Sequence, residues 1–392
     1  MKRYKPFWKK GDSMNTFYFR ALCVVFFAQA SIEAMEDGKI QELNRYYTSH
    51  YDIGHAMEWS IEQSDGLTCL AYSPSTLHPF FVSGSEDHSV CLWFENRTCH
   101  CWLAGEQPVS ALAVSPDCTE IAVGTLIHGP DDSALVTLYE AQSGLEKLRV
   151  KLCVENYHGG VTDLSYGPDG STGIAVMHDG SSYIWGHQTS RPIDRFAVKN
   201  KSISSARIMA KNLLRFVTCN GKVFTMPMQA SHLLSKQDLL ESIVTPHVVV
   251  GRPLLSCDGN ECIVSFIEHI ARESTRARVG IFDFLDGSYM KIDDAQGVAQ
   301  ASFSHDRSTC ISIFRRLLTV VRKVADPDKQ QINGALVDQW RPSNSITATA
   351  LSPDGSHLAT CMNPHMIALW RLRCVKRNDA SDIHEEKKPQ QQ

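Results

Sequence analysis

The chain has 392 residues, of which 43% are hydrophobic and 21% are charged, and its formal net charge is -4. This is a globular composition, and the negative net charge argues against a nucleic-acid binder held by bulk charge. A chain of this length is too long to form one ordinary compact core unless it folds as a closed repeat or barrel. The 13 cysteines are odd in number and scattered along the chain, which predicts reduced thiols in a cytosolic or nuclear protein.

The N-terminal segment allows two interpretations. Residues 1–10 are basic, and residues 14–31 contain an apolar run followed by a small-x-small triplet, which is the form of a secretory signal peptide. The run is too short to span a bilayer, so we expect no membrane span. The favoured interpretation is that residues 1–50 are a poorly folded extension outside the propeller, and a true translation start at Met35 is one form of this interpretation. Export is the alternative.

Beyond residue 50, short alternating runs end in an aromatic residue at a regular interval. Trp93, Tyr139 and Trp185 follow one another at steps of 46 residues, and Trp370 ends a similar run near the C-terminus. About six steps of this length separate the first anchor from the last, which indicates seven units. The remaining anchors are expected near Phe224, Phe282 and Val320.

A second marker, a Ser-Pro-Asp-Gly type turn, precedes most anchors. It follows an alternating run, as at 109–117 and 346–355. Proline fixes φ there, and Gly or Asp tolerates the tight backbone. Each unit therefore contains three strands and a weaker fourth. Short strands with a period of 40–50 residues predict a β-propeller, whereas two β-sandwiches would not explain aromatics that return at a fixed period.

The two ends of the repeat region predict how the ring closes. Residues 371–375 are too few for a separate outer strand, whereas residues 55–61 alternate apolar and polar side chains upstream of the first unit. We expect the upstream segment to supply the fourth strand of the last blade, which removes an exposed edge. The propeller then covers residues 51–375, and the charged tail 376–392 is expected to be disordered.

The units resemble the WD-repeat family of propellers over about residues 55–374. The resemblance implies an all-β fold, a single seven-bladed β-propeller of WD-repeat type with four-stranded antiparallel blades. It also implies that a turn Asp braces its turn and links it toward a His, a Ser or Thr, and the Trp indole. The residues that match these blade positions are Ser83, Asp87 and Trp93 in the first unit, Tyr139 in the second, His158, Asp179 and Trp185 in the third, and Trp370 in the last.

The units depart from the family pattern in several places. No unit carries the usual Gly-His pair before its first strand, Tyr139 replaces Trp in the second unit, and the fourth to sixth units are degenerate. The count of seven therefore depends on spacing.

The chemistry-bearing residues favour a structural interpretation. Cys99-His100-Cys101 is too tight to close a tetrahedral metal site, and no second Cys-x-x-Cys pair exists. No nucleophile motif such as Gly-x-Ser-x-Gly is present. We therefore predict no catalytic residue, no metal, no cofactor and no enzymatic activity.

Two insertions stand out from the repeat. Residues 267–278 lengthen a loop of the fifth unit and carry Arg272, Arg276 and Arg278. Insertions lie on the faces of a propeller, so this is a possible partner-binding loop for an acidic peptide or a phosphate, with a solvated loop as the alternative. Residues 233–243 have helical apolar spacing and interrupt the sheet pattern.

The resemblance implies a non-enzymatic scaffold that binds other proteins of a multisubunit complex. We expect a monomeric propeller in the cytoplasm or nucleus. If residues 14–30 act as a signal peptide, the alternative is an exported or lumenal propeller of hydrolase or lectin type. A further alternative is a subunit of an RNA-processing or ribosome-assembly complex, although the sequence carries no strong nucleic-acid signal.

Overall fold

The computed structural model describes most of the repeat region. The described residues are 51–62, 66–77, 79–127, 134–152, 159–187, 192, 194–196, 202–209, 213–228, 240–243, 248–249, 252–271, 274–285, 287, 289–292, 300–314, 317–325, 332–342, 345–362 and 365–376. The expectations for residues 1–50 and 377–392 lie outside them.

The chain divides into two compact units. The larger comprises Ile53–Lys323 and Val337–Cys374. The other comprises Met1–Asp52, Val324–Leu336 and Val375–Gln392, whose described residues are the ends of four strands. The side-chain contacts discussed below all lie within the larger unit.

The N-terminal half of the described chain consists of strands. Its strands are β1 (Tyr51–Glu62), β2 (Leu67–Tyr72), β3 (Phe80–Ser85), β4 (Ser89–Phe94), β5 (Cys99–Leu103), β6 (Val109–Val114), β7 (Glu120–Ile127), β8 (Leu135–Glu140), β9 (Glu146–Lys151), β10 (Gly159–Tyr166), β11 (Thr172–Met177), β12 (Ser182–Gly186), β13 (Asp194–Phe196), β14 (Ile203–Met209), β15 (Leu213–Thr218) and β16 (Lys222–Pro227).

The C-terminal half continues the pattern. Its strands are β17 (Leu240–Ile243), β18 (Val248–Val249), β19 (Leu254–Leu255), β20 (Glu261–Ala271), β21 (Ser274–Asp283), β22 (Tyr289–Ile292), β23 (Gln300–Phe303), β24 (Thr309–Phe314), β25 (Leu317–Ala325), β26 (Ile332–Trp340), β27 (Ile346–Leu351), β28 (His357–Met362) and β29 (Met366–Lys376). No α-helix occurs in the part of the chain that the structure describes.

The strands form antiparallel sheets arranged as a β-propeller, as the sequence predicts. Strands β2–β5, β14–β17 and β23–β26 form four-stranded sheets in chain order. Strands β6–β9 and β10–β13 form two such sets, joined into one eight-stranded sheet through pairing of β7 with β10. Strands β18 and β19 both pair with β20, which continues to β21 and β22. First strands of neighbouring sheets contact each other, as β2 does β6 and β27.

The last sheet combines both ends of the repeat region. Its order is β1-β29-β28-β27, so the upstream strand is the fourth strand of this closing sheet, as predicted. The Arg371 Nε atom on β29 lies 3.0 Å from Glu58 Oε1 on β1. Pairing of the two ends covers the edge that β29 would otherwise expose.

The hydrophobic cores lie between neighbouring sheets. Because each middle strand is covered on both faces, it is buried along nearly its whole length, as in β3 and β12. Trp185 and Tyr183 of β12 lie in one cluster with Val136 and Leu138 of β8. Full burial of one large apolar side chain contributes about 1.5–3 kcal/mol. These interfaces therefore supply most of the stabilisation.

The sequence-predicted anchors all fall on the third strand of a sheet or its equivalent. They lie on β4 (Trp93), β8 (Tyr139), β12 (Trp185), β16 (Phe224), β21 (Phe282), β25 (Val320) and β29 (Trp370). The 46-residue interval of the first three anchors thus measures the distance from one third strand to the next, and the later intervals are uneven.

Two expectations need correction. The helical spacing of residues 233–243 does not give a helix at its C-terminal end, because Leu240–Ile243 is strand β17 and pairs with β16. Pairing with an open strand edge overrides the local pattern. The cysteines are not all thiols, because Cys91 and Cys101 form a disulfide. They lie directly opposite each other on β4 and β5, a register that spacing alone does not reveal.

Candidate functional site

The buried indole groups show how the third strands are anchored. Trp93 Nε1 donates a hydrogen bond to Ser83 Oγ at 2.9 Å. In the closing sheet Trp370 Nε1 donates to Thr360 Oγ1 at the same distance. In both sheets the hydroxyl residue pairs with the residue two before the Trp. The same cross-strand register therefore places the acceptor within reach of the indole in both sheets.

Trp185 occupies the same strand position but has a different environment. Its Nε1 is buried without a hydrogen-bond partner, because Ala175 stands where the other sheets have a hydroxyl. Gly173 pairs with Trp185 across the ladder, and a Cβ there would lie 2.1 Å from the indole ring. The lack of a side chain at Gly173 leaves room for the Trp185 ring. On β8 the position that corresponds to Trp185 is occupied by Tyr139, whose ring contacts Trp102.

The acidic turns are braced locally. Asp87 Oδ1 accepts a hydrogen bond from the Ser89 backbone N–H at 2.8 Å. Asp179 Oδ1 accepts from the Ser181 backbone at 2.8 Å and from its hydroxyl at 2.6 Å. Partial burial acts to raise the pKa of Asp87, but hydrogen bonds from Ser89 and Ser85 outweigh it, and this pKa lies below its ordinary value. Each carboxylate therefore holds its own turn, and the indole finds its acceptor separately, on the second strand.

Sequence reasoning missed a set of hydroxyl groups at equivalent positions of the first strands. Five first strands carry a β-bulge, and the extra residue is always Ser or Thr. These residues are Thr68, Ser110, Thr162, Ser204 and Thr347.

Four of the five bulge hydroxyls, all except that of Thr162, bond to a carbonyl of the neighbouring sheet. Thr68 Oγ1 shares its proton between Gly84 O of its own sheet, at 3.0 Å, and Val109 O of the next, at 2.7 Å. Ser110 makes the same two contacts one sheet further on, at 3.2 and 2.8 Å. A bulge frees carbonyl groups from the ladder, and the hydroxyl satisfies them. The sequence signal is an aliphatic residue followed by Ser or Thr near the start of these five first strands.

The turns after the first strands share one hydrogen-bonded design. A Ser Oγ donates to the Asp carboxylate two residues on, and accepts from the backbone N–H five residues on. The Ser–Asp distances are 2.6–2.7 Å, at Ser115–Asp117, Ser256–Asp258, Ser304–Asp306 and Ser352–Asp354. The Ser115 hydroxyl is the largest influence that lowers the pKa of Asp117.

The residue three after the turn serine, or its equivalent, has a left-handed backbone. Gly170, Gly259 and Gly355 have φ of 66–72° there. Cys118 and Arg307 adopt φ of 61° at the same turn position. A residue with a side chain is strained at positive φ, so Cys118 and Arg307 occupy a position where the backbone favours glycine.

Charged groups meet where neighbouring sheets face each other. Glu261 on β20 is buried and forms an ion pair with the equally buried Lys323 on β25. Desolvation raises the pKa of Glu261, against the opposing effect of Lys323. Arg207 NH1 on β14 lies 2.6 Å from Asp163 Oδ2 on β10. Because each pair spans two sheets, breaking one would leave a poorly solvated charge.

A histidine lies at the corresponding junction of the closing sheet and the first sheet. His357 Nε2 is 3.7 Å from Glu58 Oε2, and its Nδ1 is 3.7 Å from Glu95 Oε1. Ser356 Oγ lies 2.8 Å from His357 Nδ1, a contact that nucleophile activation would require. The same Oγ donates to Asp354 at 2.8 Å, so we interpret the contact as part of the turn.

The remaining sequence-predicted residues are placed as follows. Arg276 and Arg278 lie on β21, where their backbones pair with Glu268 and Phe266. His158 and Arg272 lie outside the described residues. Within the described ranges, no three His, Cys, Asp or Glu side chains converge on a possible metal site. No helix among those residues is long and apolar enough to cross a membrane.

Comparison with known proteins identifies the repeat. Residues 54–93 match the family described as WD domain, G-beta repeat. The matched segment begins on β1 of the closing sheet and ends at Trp93 on β4, so one repeat spans two sheets. No curated protein matches the chain. The chain therefore contains a WD repeat, and the sheets of its larger unit have a β-propeller arrangement.

Proposed function

We propose that this protein is a non-enzymatic scaffold that binds other proteins within a multiprotein complex, built on a ring of seven blades. The observation that carries the proposal is the WD repeat at residues 54–93 within a propeller arrangement of sheets. WD-repeat propellers resemble rigid discs that present loops on two faces. Fold alone does not fix function, so the proposal depends on where partners bind.

The count of seven is supported by dividing the joined sheets into blades. Taking β6–β9 and β10–β13 as two blades, and β18 with β19 as one first strand, every blade has four strands. In the described residues, ladder pairing between the two blades of the joined sheet is limited to Gly159–Ile127 and Gly160–Leu126. The seven anchor residues each belong to a different blade of this count.

The hairpin β20–β21 is the proposed docking element. Its strands pair as far as Ala271 and Ser274, whereas the described part of β22 pairs with β21 over Val279–Phe282. The paired strands of the hairpin therefore extend past the described part of the fourth strand. Arg276 and Arg278 lie on β21, and Arg272 falls between the two strands in the sequence. Guanidinium groups suit an acidic peptide or a phosphate group.

Affinity purification tests the scaffold proposal. The tagged full chain and an Arg272→Ala, Arg276→Ala, Arg278→Ala variant are compared by quantitative mass spectrometry. We expect a defined set of proteins with the parent chain and with an Arg149→Ala control, since Arg149 is exposed on β9. The triple variant should lose at least one of them. Identical sets from all three proteins would refute the hairpin as the docking element.

The Cys91–Cys101 disulfide favours a second candidate, an exported or lumenal propeller. Stable disulfides form chiefly in oxidising compartments. Mass-spectrometric reading of the mature N-terminus separates the two. A chain that starts near Ser31 supports export, whereas a chain that keeps Met1 or Met35 supports the cytoplasmic or nuclear scaffold.

A further inference from the structure

The disulfide of the first sheet joins two very different environments. Cys91 on β4 is 3% exposed and belongs to the cluster that contains Trp59, Phe81 and Trp93. Cys101 on β5 is exposed. The two residues are directly opposite in the antiparallel ladder. The bond thus joins an exposed cysteine residue to a buried one.

Strand β5, which carries the exposed Cys101, is held to the sheet by few other contacts. Residues Cys99, His100, Cys101 and Leu103 of β5 are exposed, and β5 is the outermost strand of its sheet. Trp102 is the partly buried residue of this strand, in contact with Tyr139 and close to Gly144. Apart from the β4 ladder, the turn that joins β4 to β5 and this indole, the disulfide is the cross-link that holds β5 to the sheet.

We propose that the Cys91–Cys101 bond is a thiol-exchange site, with Cys101 as the residue modified by small thiols of the glutathione class. A glutathione thiolate attacks Cys101 Sγ, and a new S–S bond forms while the bond to Cys91 breaks. The electron pair leaves on Cys91 Sγ, which takes a proton from solvent. A second glutathione thiolate attacks the glutathione sulfur of the mixed disulfide and releases the Cys101 thiolate, so that two thiols are oxidised to glutathione disulfide.

The direction of attack follows from the two environments. Exchange requires approach along the S–S bond, and only a sulfur with solvent on its far side is open to it. The Cys91 sulfur has the apolar cluster around it. The leaving Cys91 thiolate is poorly solvated there, so exchange should be slower than in the unfolded chain. Cys99, an exposed thiol on the same strand, provides an internal reference for full access.

Reduction of the disulfide should loosen strand β5 and leave the rest of the sheet unchanged. When the bond is cut, β5 keeps its ladder to β4 but loses the disulfide cross-link. Hydrogen exchange of the β5 amides should rise at least tenfold on reduction, whereas amides of β3 should change little. The effect would expose the edge of β4 when β5 detaches.

The test combines trapping with matched variants of the full chain. Protein prepared without reductant is alkylated and digested, and we expect a linked Cys91–Cys101 peptide. Treatment of the native protein with reduced glutathione should give the mixed disulfide on Cys101. The two single variants are then treated with glutathione disulfide, and each reaction rate is divided by the rate of Cys99 in the same protein. The relative rate of Cys101 in Cys91→Ala should be at least tenfold higher than that of Cys91 in Cys101→Ala.

Three results would overturn the proposal. They are alkylation of both residues as free thiols in unreduced protein, a linkage that resists glutathione until the protein unfolds, and adducts that form equally on Cys91 and Cys101. The trapping experiment uses the unmodified chain, so it decides the matter even where a variant fails to fold.

Discussion

The hydroxyl of Thr347 lies 3.4 Å from the carbonyl oxygen of Leu67, although 280 residues separate the two in the chain. The contact joins the closing sheet to the first sheet, and it repeats the relationship between Thr68 and Val109 one sheet further on. The same type of bond therefore links sheets that are neighbours in sequence and sheets that are joined only by closure of the ring.

Replacing Thr68 by Val should destabilise the protein. The variant keeps the shape of the side chain but removes the donor to the carbonyls of Gly84 and Val109. Loss of a donor to buried carbonyls costs about 1–3 kcal/mol. Denaturant unfolding measures the change, with Thr68→Ser as the control that keeps the hydroxyl. Equal stability of the Val and Ser variants would show that the bulge hydroxyl contributes nothing.

Removing the acceptor of one indole N–H and adding an acceptor for another should change the free energy of unfolding in opposite directions. Ser83→Ala leaves the buried N–H of Trp93 without an acceptor, at a cost of about 1–3 kcal/mol. Ala175→Ser supplies an acceptor for Trp185, which has none, and should stabilise by about 1 kcal/mol.

A double-mutant cycle supplies the control for the second variant. In a Trp185→Phe background the indole N–H is absent, so Ala175→Ser should lose its benefit. Thermal or denaturant unfolding of all four proteins measures the coupling. A gain of the same size in both backgrounds would mean that the hydroxyl acts through another group.

Cys118→Gly should stabilise the turn between β6 and β7. Cys118 holds φ of 61° where three related turns have glycine. Relief of positive-φ strain outweighs the added chain entropy of glycine by about 0.5–1 kcal/mol. Cys118→Ala is the control, because it shortens the side chain without relieving the backbone. Unfolding free energies should rank Gly above Ala, and the reverse order would contradict the turn analysis.

Stability should fall in acid partly through Asp117. Its pKa lies below the ordinary value of 3.8, chiefly because the Ser115 hydroxyl donates to the carboxylate. A carboxyl with a lowered folded-state pKa contributes stability that is complete above the unfolded-state pKa and is lost as the pH falls through the folded-state pKa.

Substitution tests the assignment. In Ser115→Ala the pKa of Asp117 should rise toward its ordinary value, and the acid-dependent loss of stability should shrink. Unfolding free energies measured between about pH 6 and pH 2 give the slopes for parent and variant. Thr119→Ala is a matched control, because the Thr119 hydroxyl donates to the same carboxylate but is a smaller influence on its pKa. A larger effect of Thr119→Ala than of Ser115→Ala would contradict the ranking.

The sequence predicts the architecture because its anchors repeat. Trp93, Tyr139 and Trp185 mark third strands at a constant interval, and a constant interval has one physical source, a repeated strand set. The closing strand is predictable for a related reason, since β29 needs a partner and residues 55–61 alternate.

Side-chain partners depend on register, which composition does not encode. The bulge residue Thr68 is one of many Ser and Thr residues, and its role appears only when β2 and β3 are paired. The disulfide is hidden in the same way, because Cys91 meets Cys101 only in the observed β4–β5 register. The odd number of cysteines points away from any pairing. The strand β17 is missed because pairing with β16 overrides local apolar spacing.

The most direct test of the account is an experimental structure of the full chain. The central claim is one closed ring in which β1 completes the sheet of β29. The account predicts seven four-stranded blades, with residues 51–62 hydrogen-bonded to residues 366–376. A ring with a different number of blades, or a chain in which residues 51–62 do not pair with β29, would contradict it.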